Sequence, residues 1–234
     1  MPGNNRASRA SRFDIPGSRE QVAWRFNRQS LLEGFRGMWR RIKYGMGRTW
    51  MKAFGWRFEG EMPKTKKFVL IAAPHTSNWD LPYMLASAYI LGIDLSWMGK
   101  HTLFEGPFGW FMKALGGIPV DRRSPQGLVH QVVERFKQSD TLYLAVPPNG
   151  TRKKVEYWKS GFYHIARGAQ VPILLSYLDF GRKTAGLGPL FSPTGNVRAD
   201  MDRIREFYRD VRGKYPDLES VPRLREEEAV SEVA

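Results

Sequence analysis

The stretch Phe68-Val69-Leu70-Ile71-Ala72-Ala73-Pro74-His75-Thr76-Ser77-Asn78-Trp79-Asp80 decides how this chain is read. Its first six residues are apolar without a break, the pattern of a strand buried on both faces. Pro74 cannot extend a hydrogen-bonded ladder and ends the run. His75 then stands just past a strand end, where α/β folds place their sites. The next periodic segment predicts a helix over Asp80–Leu91, with Pro82 in its first turn, where proline is tolerated. Five residues apart on an ideal helix, His75 and Asp80 would point away from each other. With a turn between them, Asp80 can accept a hydrogen bond from one imidazole nitrogen, fix the tautomer and leave the other nitrogen as a base. His-x4-Asp alone arises often by chance, so the surrounding pattern has to support it.

That pattern alternates. Strands are expected at Leu95–Gly99, Ile118–Val120, Thr141–Val146 and Val171–Tyr177. Helices are expected at Pro107–Leu115, Pro125–Lys137 with Ser124 as N-cap, Ser160–Arg167 and Asp200–Lys214. Strands alternating with helices predict an α/β domain around a mixed, mainly parallel central sheet flanked by helices. With 42% hydrophobic residues, the 234-residue chain has enough apolar material for one sizeable core. It has no cysteine, which excludes disulfides, thiolate metal sites and a cysteine nucleophile.

The net charge of +14 is concentrated at the N-terminus. Residues 1–57 hold 13 Lys and Arg against 3 Asp and Glu, so one segment seeks a polyanion. Between Ser30 and Trp56 the apolar residues Phe35, Trp39, Ile42, Met46, Trp50 and Phe54 recur at helical spacing. Arg36, Arg40, Arg41, Lys43, Arg48 and Lys52 lie between them. A helix with an aromatic face and cationic flanks suits the headgroup layer of a bilayer, or equally packs on the protein's own core. Gly34, Gly37, Gly45, Gly47 and Gly55 weaken that helix and allow a kink or a two-helix hairpin. No apolar run reaches the length of a membrane span, and no secretory signal is read. Three parts are therefore expected: a basic membrane-associating segment at 1–58, a catalytic domain at 59–220 and an acidic flexible tail at 221–234.

Four blocks in order carry a resemblance. The first is His75-Thr76-Ser77-Asn78-Trp79-Asp80. The second runs from Lys100 through Leu103, Pro107 and Gly109 to Gly117-Ile118-Pro119-Val120-Asp121-Arg122. The third is Pro148-Asn149-Gly150-Thr151-Arg152, and the fourth Val171-Pro172-Ile173. Over residues 65–180 the chain resembles the glycerolipid acyltransferases, the family of bacterial 1-acyl-glycerol-3-phosphate acyltransferase. The resemblance implies that His75 deprotonates an acceptor hydroxyl, which attacks an acyl thioester, with Asp80 orienting the imidazole. It implies that Lys100, Arg122 and Arg152 hold the acceptor's phosphate. Asn149, Gly150 and Thr151 would complete that binding turn. Guanidinium suits bidentate contact with phosphate and lysine a point contact. The family's third block reads Pro-Glu-Gly-Thr-Arg, and Asn149 replaces the glutamate, which puts the acceptor's identity in doubt.

The resemblance also implies no cofactor, with acyl-CoA or acyl-carrier protein as donor substrate and a lysolipid as acceptor. An anionic membrane would be the partner surface, and the protein would sit peripherally on the cytoplasmic face. No metal site is read, since the histidines lack zinc-ligand spacing. Two other readings stay open: the same reaction on a different acceptor, and a non-catalytic protein binding anionic membranes or nucleic acid. No nucleic-acid module is recognisable, so nucleic acid is not the expected partner.

Overall fold

The computed structural model describes residues 37–120 and 125–229. The chain divides into two compact units, 1–41 and 42–234. Of the first, residues 37–41 are described; they are helical and exposed. In the second, residues 42–53 form helix α1. There follow β1 (Arg57–Glu59), β2 (Lys67–Ala73), α2 (Asp80–Leu91), β3 (Leu95–Lys100) and a 3₁₀ turn (His101–Phe104). Next come α3 (Gly109–Ala114), β4 (Gly117–Val120), α4 (Pro125–Gln138), β5 (Leu142–Val146) and α5 (Gly161–Ala169). The last elements are β6 (Ile173–Asp179), β7 (Thr184–Phe191), α6 (Val197–Tyr208) and α7 (Glu226–Ala229).

The seven strands make one sheet in the order β1-β7-β6-β2-β5-β3-β4. Every neighbouring pair is parallel except β6 with β7, so the sheet is mixed and mainly parallel, as the alternation predicts. β2 lies at its centre, which is why its sequence is apolar throughout. Val69 and Ile71 face a core closed by Phe136, Phe162, Ile165, Met201 and Ile204. Phe68 and Leu70 face the opposite side, with Ala88, Leu95 and Trp97. β2, β5, β3 and β4 run in one direction, so their C-terminal turns emerge along one edge of the sheet.

Several expectations change. β1, three residues long, and β7 were not expected; in β7, Gly186, Gly188 and Pro189 argue against a strand. Those glycines admit neighbouring rings: a methyl at Gly186 would lie 2.6 Å from the Tyr177 ring, and one at Gly188 2.2 Å from Phe207. The last long helix starts at Val197, where the Asn196 side chain accepts from the Ala199 N–H, and ends at Tyr208 rather than Lys214. The expected boundary at 58/59 lies within the second unit, where α1 packs on α2. A methyl at Gly47 would sit 2.6 Å from the Ala86 carbonyl oxygen, Met51 is buried, and Trp56 stacks on Tyr83 at 4.0 Å. Residues 42–53 are helical throughout, so Gly45 and Gly47 do not open a hairpin; Phe35 and Gly34 lie outside the described residues. Residues 221–229 are not a free tail: Leu224 and Glu227 are buried, and Glu227 bonds Arg205 at 2.7 Å. Residues 230–234 are outside the described set, as is Ser124.

Candidate active site

The turn after β2 sets the central pair. Ser77, Asn78 and Trp79 form a tight turn in which the Asp80 N–H donates to the Ser77 carbonyl at 3.4 Å and the Trp79 N–H donates to Ser77 Oγ at 3.1 Å. This swings Asp80, the first residue of α2, back under the histidine. His75 Nδ1 lies 2.8 Å from Asp80 Oδ2, which also accepts from the Ser77 N–H at 3.3 Å. Asp80 is buried, and its Oδ1 has no hydrogen-bond partner among the described residues. A buried carboxylate oxygen without a partner is costly, and a neighbouring imidazolium is the charge that would compensate it. With Nδ1 engaged, Nε2 is the nitrogen left to act as base.

His75 opens on a cavity of about 660 Å³. Leu81, Met84, Ala88 and Leu91 of α2 line one side, and Leu70, Ala72, Leu95, Trp97 and Ala145 of the sheet line another. Its walls are mainly apolar, while its rim gathers polar groups from the strand ends: Lys100, the last residue of β3, and Gly150, Thr151 and Arg152 after β5. Gly150 has φ +64°, so glycine allows the turn that presents the next two residues. The Thr151 hydroxyl accepts from the Lys153 N–H at 3.4 Å. Six of the eight residues singled out from sequence thus share one cavity. Arg122 lies outside the described residues.

Asn149 is placed elsewhere. It is buried and does not line this cavity; its Nδ2 donates to Ser220 Oγ at 3.0 Å. Ser220 Oγ also accepts from the Val155 N–H at 2.8 Å. The segment carrying Ser220 reaches the histidine turn as well, since the Tyr215 N–H donates to Thr76 Oγ1 at 3.2 Å. A long stretch of chain separates these partners, and nothing in the sequence pairs them. The other histidines stand outside the cavity: His101 faces Glu105 at 3.8 Å, His164 faces Glu226 at 3.5 Å, and His130 is exposed on α4. Among the described residues, no three His, Asp or Glu side chains cluster as metal ligands would. The cavity's apolar wall was missed from sequence, because residues such as Met84 and Leu91 read equally as solid core.

A mainly parallel α/β sheet with a His–Asp pair at a strand end, over a mainly apolar cavity also lined by Lys100 and Arg152, has the form of an enzyme active site. The Acyltransferase family model matches residues 56–175, which is 120 of the 234 residues, and the chain belongs to that family. The 1-acyl-sn-glycerol-3-phosphate acyltransferase of Streptococcus pneumoniae is 29% identical over 116 residues, 49% of this chain and 42% of that protein. The chain therefore spans about two-fifths of that relative's length. The crystal structure of the 1-acyl-sn-glycerophosphate (LPA) acyltransferase PlsC of Thermotoga maritima superposes with a TM-score of 0.54 at 21% identity. That match covers 78% of this chain and 84% of the other, and it shows a shared fold.

Proposed function

We propose that this protein is an O-acyltransferase that moves a fatty acyl group from an acyl thioester to the hydroxyl of lysophosphatidate or a similar lysolipid. The observation that carries this reading is the 2.8 Å His75–Asp80 contact at the mouth of a mainly apolar cavity of about 660 Å³. His75 Nε2 takes the proton of the acceptor hydroxyl as its oxygen attacks the thioester carbonyl. Collapse of the tetrahedral intermediate breaks the carbon–sulfur bond, and the imidazolium returns the proton to the leaving thiolate. Asp80 holds the tautomer and stabilises the imidazolium in between. The apolar wall takes an acyl chain, and Lys100 and Arg152 at the rim suit an acceptor phosphate. Acyl-CoA and acyl-carrier protein are both admissible donors, and no cofactor is needed for this chemistry.

The protein would act peripherally on the cytoplasmic face of a membrane, where a soluble thioester donor meets a bilayer-borne acceptor. Ile42 and Met46 on α1 are exposed apolar side chains beside Arg41 and Arg48, the pattern of an interfacial helix. Trp50 and Phe54, expected on the same face, partly turn inward: their rings lie 4.7 Å apart and both approach Tyr83. No helix among the described residues is long and apolar enough to cross a membrane.

The test is thiol release from palmitoyl-CoA in the presence of lysophosphatidate in anionic mixed micelles. The cysteine-free chain adds no background to a thiol reagent. Release that requires lysophosphatidate and falls about 10²–10⁴-fold in His75→Ala is the expected result. Undiminished turnover in that variant overturns the mechanism. A panel of lysolipids separates lysophosphatidate from other acceptors.

A further inference from the structure

The 3₁₀ turn, α3 and the link between them carry apolar surface that is left outside the core. Phe108 is 69% exposed and Trp110 71% exposed, and Leu103 and Phe111 are exposed beside them. Their base is firmly packed. Phe104 lies against Trp97 with ring centroids 5.8 Å apart, and methyls at Gly99 and Gly117 would collide with the Phe104 ring. Trp97 Nε1 donates to the Leu115 carbonyl at 2.9 Å, tying the end of α3 to β3. A well-anchored base presenting two almost bare aromatic side chains is the form of a wedge, since exposed rings of this size are avoided unless something receives them.

Position and charge indicate the receiver. The wedge follows the C-terminal end of β3, so it stands at the edge of the sheet where His75 and Arg152 also emerge. It is continuous with the cavity: Leu103 belongs to both surfaces, and Met112 on α3 lines the cavity as well. Within residues 100–115 that carry the rings, the exposed Lys100 and Lys113 stand against a single carboxylate, Glu105. Tryptophan and phenylalanine flanked by lysine are the side chains that settle at the boundary of headgroups and acyl chains.

We propose that Phe108 and Trp110 form an insertion wedge for an anionic bilayer surface, seating the cavity mouth against the membrane so that a lipid acceptor enters without crossing water. This second contact, separate from α1, rests on the lipid-acceptor reading for its purpose but not for its measurement. Single-cysteine labelling of the full chain tests it, because no native cysteine competes. An environment-sensitive fluorophore is placed at Trp110→Cys. The control is Leu190→Cys, exposed on β7 opposite Leu174, at the other edge of the sheet. Vesicles of phosphatidylcholine with phosphatidylglycerol are expected to shift the first label's emission to the blue and to bring it within reach of an acyl-chain quencher. The control label stays unquenched.

If vesicles bind the protein while the Trp110→Cys label stays in water, the wedge is excluded. A blue shift that needs no vesicles and grows with protein concentration overturns it in favour of a second copy of the chain. The double variant Phe108→Ser/Trp110→Ser supplies the functional readout, since neither residue lines the cavity. It is expected to lower turnover of vesicle-borne lysolipid relative to monodisperse short-chain lysolipid by about tenfold, through KM. An unchanged ratio counts against the wedge. Wild-type protein that turns over neither form would fail the acyltransferase reading instead, leaving the fluorescence result to stand by itself.

Discussion

At the scale of single residues, the His75–Asp80 pair makes a prediction in which activity and stability part company. Asp80→Asn puts an amide where Oδ2 now faces Nδ1. If the amide NH₂ turns to Nδ1, that nitrogen becomes the acceptor, the ring proton moves to Nε2, and the base is lost. Turnover should fall about 10²–10⁴-fold with little change in KM. Stability should change little, because loss of a buried charge whose Oδ1 has no partner among the described residues offsets the acceptor that the turned amide withdraws from the Ser77 N–H. Steady-state kinetics beside a thermal melt would show both, and a variant that loses Tm and KM together would refute the pairing. Asn149 leads to the opposite expectation. Ser220→Ala leaves Asn149 Nδ2 and the Val155 N–H without their acceptor, at a cost of about 1–3 kcal/mol in urea unfolding. The Asn149–Ser220 bond ties the start of the Gly150–Arg152 turn to the segment carrying Ser220, and Asn149 is expected to act through that tether. A cost near zero would detach the pair from that role.

At the scale of elements, the sequence is most legible where burial dictates composition. The apolar run of β2 and the proline that ends it were readable because a central parallel strand is buried on both faces. α2 was readable to the residue, since Asp80 and Gly92, at φ +66°, bracket it with ordinary helix punctuation. β7 was not, because Gly186 and Gly188 serve the rings of Tyr177 and Phe207, which arrive from distant positions. α1 was half legible. Its period gave a helix, but the side that packs is set by Gly47, a residue whose lack of side chain reads as weakness until α2 is seen against it. Gly47→Val should consequently lift α1 from α2 and cost about 1–3 kcal/mol, seen as a lower Tm. Gly45→Ala, where a methyl meets nothing within 4 Å, should be neutral or slightly stabilising. Equal effects at the two glycines would mean that α1 does not pack as described.

At the scale of the whole molecule, the core side opposite the cavity carries two buried tyrosines that make stability respond to alkali. Tyr163 is buried on α5; its hydroxyl donates to Asp200 Oδ2 at 2.8 Å and accepts from the Gly195 N–H at 3.2 Å. Burial first, and the hydrogen bond to the Asp200 carboxylate second, push the phenol up from about 10 to about 12. Tyr208, fully enclosed on α6 and bonded to the Ser176 carbonyl at 2.7 Å, is raised too, by burial. A raised folded-state value means that folding favours the neutral phenol. The stabilisation is complete below about pH 10, where both folded and unfolded chains keep the proton, and is lost as pH rises toward 12, where only the unfolded chain has released it. A two-unit difference is worth on the order of 2–3 kcal/mol, a large share of an ordinary domain's stability. The urea midpoint of the wild type should thus hold a plateau through neutral pH and fall steeply between about pH 10 and 12. Tyr163→Phe should lower the plateau by about 1 kcal/mol through the lost hydrogen bonds, yet decline less steeply above pH 10, since one of the raised phenols is gone while Tyr83, Tyr157, Tyr177 and Tyr208 remain. Two curves that fall in parallel across that window would show that Tyr163 is not what the alkaline transition releases, and would make Tyr208, the fully buried one of the other raised phenols, the group to substitute next.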